Sequence, residues 1–273
     1  MITGAPALLS AKGKTITKIV IDAGHGGSDI GAQGAFSKEK DITLAVTLKV
    51  GKILSDSMKG VQVIYTRTTD TYPSLVDRHK IANQANADLF VAIHVNSTPF
   101  TYTKILKGYK MVKRHHKSVK QPIYTSIRHH ETKRSGVETY VLALHRDYQK
   151  KEAIEDMTTE TGLMDENDPQ TAIIIAQYSQ AFQLKSASLG GKIQEQFAQQ
   201  TRPYQKGPGA NDLGVKQLPL EVLAGSAMPG VLVEIGFITN VEEETYLNSE
   251  AGQEEVAMAI YRGIRAYKAD AEK

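Results

Sequence analysis

The chain has 273 residues, 41% hydrophobic and 23% charged, with a formal net charge of +3 and no cysteine. That length and balance fit one or two folded domains and exclude a disordered or fibrous chain. The lack of cysteine excludes disulfides and thiolate metal sites, leaving His, Asp and Glu as plausible ligands. The longest apolar runs, TAIIIA and LFVAI, fall far short of the roughly 20 residues of a membrane helix, and the opening MITGAPALLSAKGK lacks the basic and apolar regions of a leader peptide.

In chain order, Lys18–Asp22, Val61–Arg67, Leu89–Val95, Val137–Leu144 and Val231–Phe237 are short β-branched or aromatic runs that read as strands, mostly buried on both faces. Lys40–Met58 carries apolar residues near helical spacing, with Ser37 as its expected N-cap. Leu75–Asn86 reads as a shorter helix, and Glu254–Lys268 as a closing amphipathic one. The middle, Arg146–Gln200, reads as helical with a break at DENDPQ, where Pro169 disfavours helix at Asp168. Alternation of strand and helix predicts an α/β fold of three layers: a mostly parallel or mixed twisted sheet of about five to six strands with helices on both faces.

Charge is uneven along the chain. Thr98 to Arg134 holds ten Lys or Arg against one acid, which predicts a solvated basic loop whose functional alternative is contact with an anionic polymer. Nucleic acid is not expected there, because aromatic residues are sparse and no nucleic-acid motif accompanies the charge. The loop also holds His115, His116, His129 and His130, but adjacent histidines in a basic loop seldom converge on a metal, since protonated neighbours repel it.

Polar groups inside apolar strands cost several kcal/mol unless paired, so His94 in FVAIHVN and Glu234 in VLVEIGF ask for a reason. His25 follows the first strand in IDAGHGG, at the edge where open α/β sheets build ligand sites. Each has a plain structural reading when taken singly: a hydrogen-bonded histidine, half of a buried salt bridge, or, for Glu39, an acid complementing a helix dipole. Together two imidazoles and two carboxylates match a catalytic zinc site, with three protein ligands, an open position for water and a nearby base.

At these residues the chain resembles the zinc-dependent N-acetylmuramoyl-L-alanine amidases of the amidase 3 family. The blocks that carry the resemblance are KIVIDAGHGGSDIGAQG, KEKDITLAV, VIYTRTTDTYPSLVDRHKIANQANADLFVAIHVNS, GVETYVL and MPGVLVEIGFITN, in family order. The resemblance implies that His25, Glu39 and His94 bind one Zn2+ ion and that Glu234 is the catalytic acid/base. The implied reaction is hydrolysis of the amide between N-acetylmuramic acid and L-alanine of the stem peptide, in wall remodelling or daughter-cell separation. The implied location is periplasmic or extracellular, for a mature monomer without a transmembrane segment whose partner is peptidoglycan. Gly24, Gly26 and Gly27 are expected to let backbone pass close to metal and substrate. Arg67 is read first as a structural residue pinning the turn with Asp70, with a substrate role as its alternative, Arg78 likewise as structural, and Asn96 as the better candidate for a hydrogen bond to substrate or to a ligand residue.

The expected organisation is a tail at 1–17, a single amidase catalytic domain at 18–268 with a basic insert at 98–134 and a helical insert at 146–200, and a tail at 269–273. In some division-associated relatives a helix in the second insert covers the site. Glu152, Glu155 or Glu160 is therefore a candidate to close the fourth metal position, with an activator protein as the partner that displaces the helix. Two other functions compete with hydrolysis of the muramoyl amide: a non-catalytic wall-binding regulator of the same fold, and a zinc peptidase cleaving within the stem peptide.

Overall fold

The computed structural model describes residues 15–114, 117–130, 133–160, 162, 164, 168–205, 209 and 211–273. Its centre is a six-stranded mixed sheet in the order β2-β1-β3-β8-β6-β7, built from β1 (Lys18–Ala23), β2 (Gln62–Tyr65), β3 (Leu89–Asn96), β6 (Val137–Leu142), β7 (Asp212–Leu218) and β8 (Gly230–Phe237). Every pairing is parallel except β6 with β8. The apolar runs of β1, β3 and β8 are covered on both faces, the usual condition of parallel strands. Ile19, Ile21, Leu89, Val91 and Ile93 pack with residues of α1 (Glu39–Ser57), α4 (Pro169–Ala198) and α7 (Glu250–Ala271), among them Val46, Ile193 and Ile260. On the opposite face Val20, Phe90, Ala92 and Leu232 meet Ala82 of α2 (Leu75–Gln84) and Val222 and Leu223 of α5 (Glu221–Ala224).

Local chemistry sets the helix starts. Ser74 and Asp77 form a reciprocal capping box at the head of α2. The break at DENDPQ becomes the start of α4, where the Asp168 side chain accepts from the Gln170 N–H and Pro169 takes the first helical position. α3 (Asp147–Glu160) precedes it and packs through Ala153 and Ile154 against Ile175 and Tyr178 of α4.

Four expectations need correction. The N-cap of α1 is Lys38, without a side-chain cap bond; the Ser37 hydroxyl instead donates to Glu244 Oε1 at 2.7 Å. The basic stretch is not a loop but two long strands, β4 (Phe100–Arg114) and β5 (Lys117–His130), paired antiparallel as a separate two-stranded sheet. Its β-branched and aromatic residues alternate with lysines, so neither face is apolar enough to look like a core strand in sequence. The segment ending at residue 17 is anchored where it is described: Ile16 is buried, its N–H donates to Glu272 Oε1, and the Thr17 N–H donates to Asp88 Oδ2. The end of the chain is not a tail from residue 269, because α7 continues to Ala271.

Candidate metal centre

The C-terminal ends of β1, β3 and β8 lie side by side, and the chain leaves β1 through Ala23-Gly24-His25. His25 sits in the left-handed region at φ 60°, a conformation that costs a non-glycine residue energy and must be held by its surroundings. Two buried arginines hold it. Arg78 donates to the carbonyls of Ala23 (2.6 Å) and His25 (2.7 Å) while pairing with Asp22 at 2.6 Å. Arg67 donates to the carbonyls of Ala23 (3.0 Å), Gly24 (2.8 Å) and Lys40 (2.8 Å). Arg67 is thus structural but not through Asp70, which instead accepts from Lys40 Nζ and the Gly27 N–H, both at 2.7 Å.

These restraints bring His25 to Glu39, the first residue of α1, and to His94 near the end of β3. His25 Nε2 lies 3.1 Å and His94 Nδ1 3.0 Å from the same oxygen, Glu39 Oε1, which also accepts from the Val95 N–H at 3.0 Å. Glu39 Oε2 accepts from the Ala32 N–H at 2.8 Å. One ligand atom from each of the three residues falls within 4.8 Å of the others, the single such cluster among the described residues. A cavity of about 40 Å³, bounded in part by His25, Tyr72, Arg78, His94 and Val222, opens beside it.

Glycine makes room for the arrangement. A Cβ on Gly24 would lie 2.4 Å from Cε1 of His94, and one on Gly26 would lie 2.0 Å from the Thr71 carbonyl oxygen. Gly24 therefore clears the imidazole itself, whereas Gly26 clears the neighbouring backbone.

The electrostatics are those of a carboxylate between two imidazoles. Burial works against ionising Glu39, but hydrogen bonds from His25 and His94 outweigh it and hold its carboxyl far below the usual carboxylate range. Burial likewise opposes charge on His25, yet its bonds to Glu39 and Asp29 raise its pKa. Asp29 Oδ2 lies 2.8 Å from His25 Nδ1, the outer carboxylate that commonly fixes the tautomer and ring orientation of a ligating histidine. The donor set of two nitrogens and one carboxylate oxygen, with Nε2 of His25 left facing Glu39, fits a divalent cation of the zinc class.

Glu234 stands next to His94 across the parallel β3–β8 pairing. Its Oε2 is buried without a hydrogen-bond partner. Burial first, and the Glu39 and Glu138 carboxylates second, push its pKa well above the usual value. Asn96 does hydrogen-bond beside the site, donating to Glu138 Oε2 at 3.0 Å. Glu138 pairs in register with Glu234 across β6–β8 and also binds Tyr140, Arg134 and Lys216.

Asp29 and Glu138 were not singled out from sequence. The signal for Asp29 was its position four residues after His25; Glu138 lay inside GVETYVL, a block read only as a strand. Glu152 and Glu155 do not join the cluster: α3 is held inward by Ile154 and by Lys150, which donates to Leu223 O, Ser226 Oγ and Met228 O, and this turns both glutamates to solvent. The side chain of Glu160 lies outside the described residues, as do His115, His116 and the side chain of His129.

Comparison with known proteins identifies the family and the fold. The N-acetylmuramoyl-L-alanine amidase family matches residues 19–266. The chain is 30% identical to the N-acetylmuramoyl-L-alanine amidase AmiA of Escherichia coli (strain K12) over 263 residues, 96% of this chain and 79% of that one. Among solved structures it is similar to the catalytic domain of the amidase CwlV from Bacillus (Paenibacillus) polymyxa var. colistinus, at TM-score 0.58 and 26% identity over 92% of this chain and 98% of that one. It is also similar to the CwlD amidase of Clostridioides difficile in complex with the GerS lipoprotein, at TM-score 0.60 and 25% identity over 93% and 99% of the respective chains. Two histidines and a glutamate after or near the ends of β1, β3 and β8 meet a second glutamate at the start of α1, and the family match runs through nearly all of the chain: it belongs to the N-acetylmuramoyl-L-alanine amidase family.

Proposed function

We propose that the protein hydrolyses the amide between the lactyl group of N-acetylmuramic acid and L-alanine of the peptidoglycan stem peptide, with His25, Glu39 and His94 holding one zinc ion and Glu234 moving the proton. Residues 18–268 act as one catalytic unit in this reading. The observation that carries it is the convergence of three donors on one point, with the unpartnered Oε2 of Glu234 on the neighbouring strand.

Zinc bound at such a site polarises the scissile carbonyl and makes water acidic enough to attack near neutral pH. The chain's own residues do the rest. Asp29 takes the His25 Nδ1 proton as a hydrogen bond and leaves the Nε2 lone pair for the metal. The Ala32 and Val95 N–H groups fix Glu39 from both oxygens. Glu234, once ionised, accepts a proton from the attacking water and delivers it to the leaving nitrogen of L-alanine. Its raised pKa favours the first half of that transfer, because a carboxylate of ordinary acidity is a weaker base toward the attacking water.

Peptidoglycan lies outside the cytoplasmic membrane, which supports a periplasmic or extracellular location and a role in wall remodelling or daughter-cell separation. Among the described residues no helix is long and apolar enough to cross a membrane. The complex of CwlD with a lipoprotein supports a protein activator as a partner for this chain too. Digestion of purified muropeptides by the zinc-loaded protein tests the reading: released stem peptides carry a free L-alanine amino group, and Glu234→Gln releases them about 10²–10⁴-fold more slowly. Cleavage between two amino acids would make the protein a stem peptidase, and binding without cleavage would make it a wall-binding regulator.

A further inference from the structure

The hairpin β4–β5 is the largest feature that the hydrolase reading leaves unused. β4 has 15 residues, so the arm reaches about 45 Å at the usual strand rise. Neither strand joins the central sheet, and among the described residues neither packs substantially on another element. Residues 100–130 hold eight Lys or Arg and no Asp or Glu. A bare two-stranded ribbon is marginal in water; this one leaves Tyr102, Tyr109 and Tyr124 at least 55% exposed.

We infer that this hairpin is a binding arm for a linear, phosphodiester-linked polyanion of the cell wall. Three observations choose that occupant. First, the charge has one sign. Lysines also guard strand edges against pairing with other chains, but either sign of charge serves that purpose, and the absence of every acid is not required by it.

Second, the register distributes the cations over both faces. Lys104, Lys113 and Lys120 share one face with Tyr102, Tyr109 and Tyr124, while Lys110, Arg114 and Lys117 share the other. A planar bilayer would engage the cations of one face and leave those of the other in solvent, whereas a flexible chain of phosphates can follow both.

Third, the root is fixed beside the metal centre. β4 begins four residues after Asn96, the Phe100 and His130 rings lie 3.9 Å apart, and His130 Nδ1 donates to the Thr98 carbonyl at 2.6 Å. A polymer held along the arm therefore keeps the strand ends that carry His94 and Glu234 at the wall. The placement of that polymer in the wall rests on the hydrolase reading; the polyanion chemistry does not.

The test uses the full chain and insoluble wall sacculi, either retaining their phosphodiester polymers or stripped of them with hydrofluoric acid. The wild type should pellet with the intact sacculi, about tenfold or more weakly with stripped ones, and long-chain inorganic polyphosphate should displace it. The variant Lys104→Gln/Lys110→Gln/Lys113→Gln/Lys120→Gln should lose about tenfold or more in affinity, with the slope of log affinity against log salt reduced by about three. Its cleavage of soluble muropeptides should equal that of the wild type, and that assay reports the hydrolase reading separately. Equal pelleting with stripped sacculi, an undiminished variant, tighter binding to phosphatidylglycerol vesicles than to polyphosphate, or displacement by oligo-dT at lower phosphate concentration than polyphosphate would each overturn the inference.

Discussion

Gly24→Ala isolates the geometry of the candidate metal centre from its chemistry, because it alters no candidate ligand and no charge. Gly24 is not among the glycines of positive φ, so an alanine meets no backbone strain, only space. Its Cβ would lie 2.4, 2.5 and 2.7 Å from Cε1, Nε2 and Nδ1 of His94, against contacts of about 3.5–4.0 Å for unstrained heavy atoms. Something must give by roughly 1 Å. The backbone is poorly placed to yield, since the Gly24 carbonyl accepts from Arg67 Nη2 and Thr43 Oγ1, both at 2.8 Å, and its N–H donates to Ile93 O at 3.1 Å. The imidazole must retreat, and with it the 3.0 Å contact to Glu39.

A misplacement of that size at a reacting centre costs about 10²-fold in rate. Zinc affinity, measured by competition with a chromophoric chelator, should fall by about tenfold or more. Muropeptide cleavage should fall by about 10²-fold, while the circular dichroism spectrum stays that of the wild type. A folded Gly24→Ala protein with zinc affinity and activity within about threefold of the wild type would refute the reasoning, because His94 could then not be where a ligand must be.

Other residues give further outcomes. Glu234→Gln should keep its zinc, by metal analysis of the purified protein, yet lose about 10²–10⁴-fold in kcat on muropeptides. Asp29→Asn should bind zinc about 10–100-fold more weakly, read by the same chelator competition. Arg78→Met leaves Asp22 buried without its cationic partner, with only the Thr66 hydroxyl donating to it, and should destabilise the fold by about 3–5 kcal/mol in urea denaturation. Lys150 is buried, and desolvation pulls its pKa down to about 7 from an ordinary 10.5. Between those values the unfolded chain binds the proton and the folded one does not, so wild-type stability should rise as pH increases through that window. Lys150→Met should flatten that rise in denaturation curves at pH 6, 7.5 and 9, and it removes the Lys150 donor from Met228 O, Ser226 Oγ and Leu223 O, the last of which keeps the Ser226 hydroxyl.

The central strands were legible because parallel strands buried on both faces carry unbroken apolar runs, and a histidine or glutamate inside such a run stands out. For the same reason His94 and Glu234 stand out in the sequence before any geometry, as does the break at Pro169 before any helix. β7 was missed: DLGVKQL is an edge strand with exposed residues along most of its length, so it has no apolar run to see. The hairpin was misread because its pairing is with itself alone, which leaves lysine and tyrosine side by side without the hydrophobic alternation of a sheet over a core. Ser37 looked like a cap because the sequence could not reveal Glu244, some 207 positions away, which takes its hydroxyl and backbone N–H. Asp29 meets the cluster at His25 and Glu138 at Asn96 and Glu234, and a residue placed by its contact with another shows itself only when the two are seen together.

The most direct test of the account is an anomalous-difference map at the zinc absorption edge from crystals of the zinc-loaded protein. The account predicts one peak, about 2.0–2.2 Å from a nitrogen of His25, an oxygen of Glu39 and a nitrogen of His94, with the Glu234 carboxylate facing it. A peak seated on other residues, or none at a protein concentration and pH where muropeptides are cleaved, would contradict it.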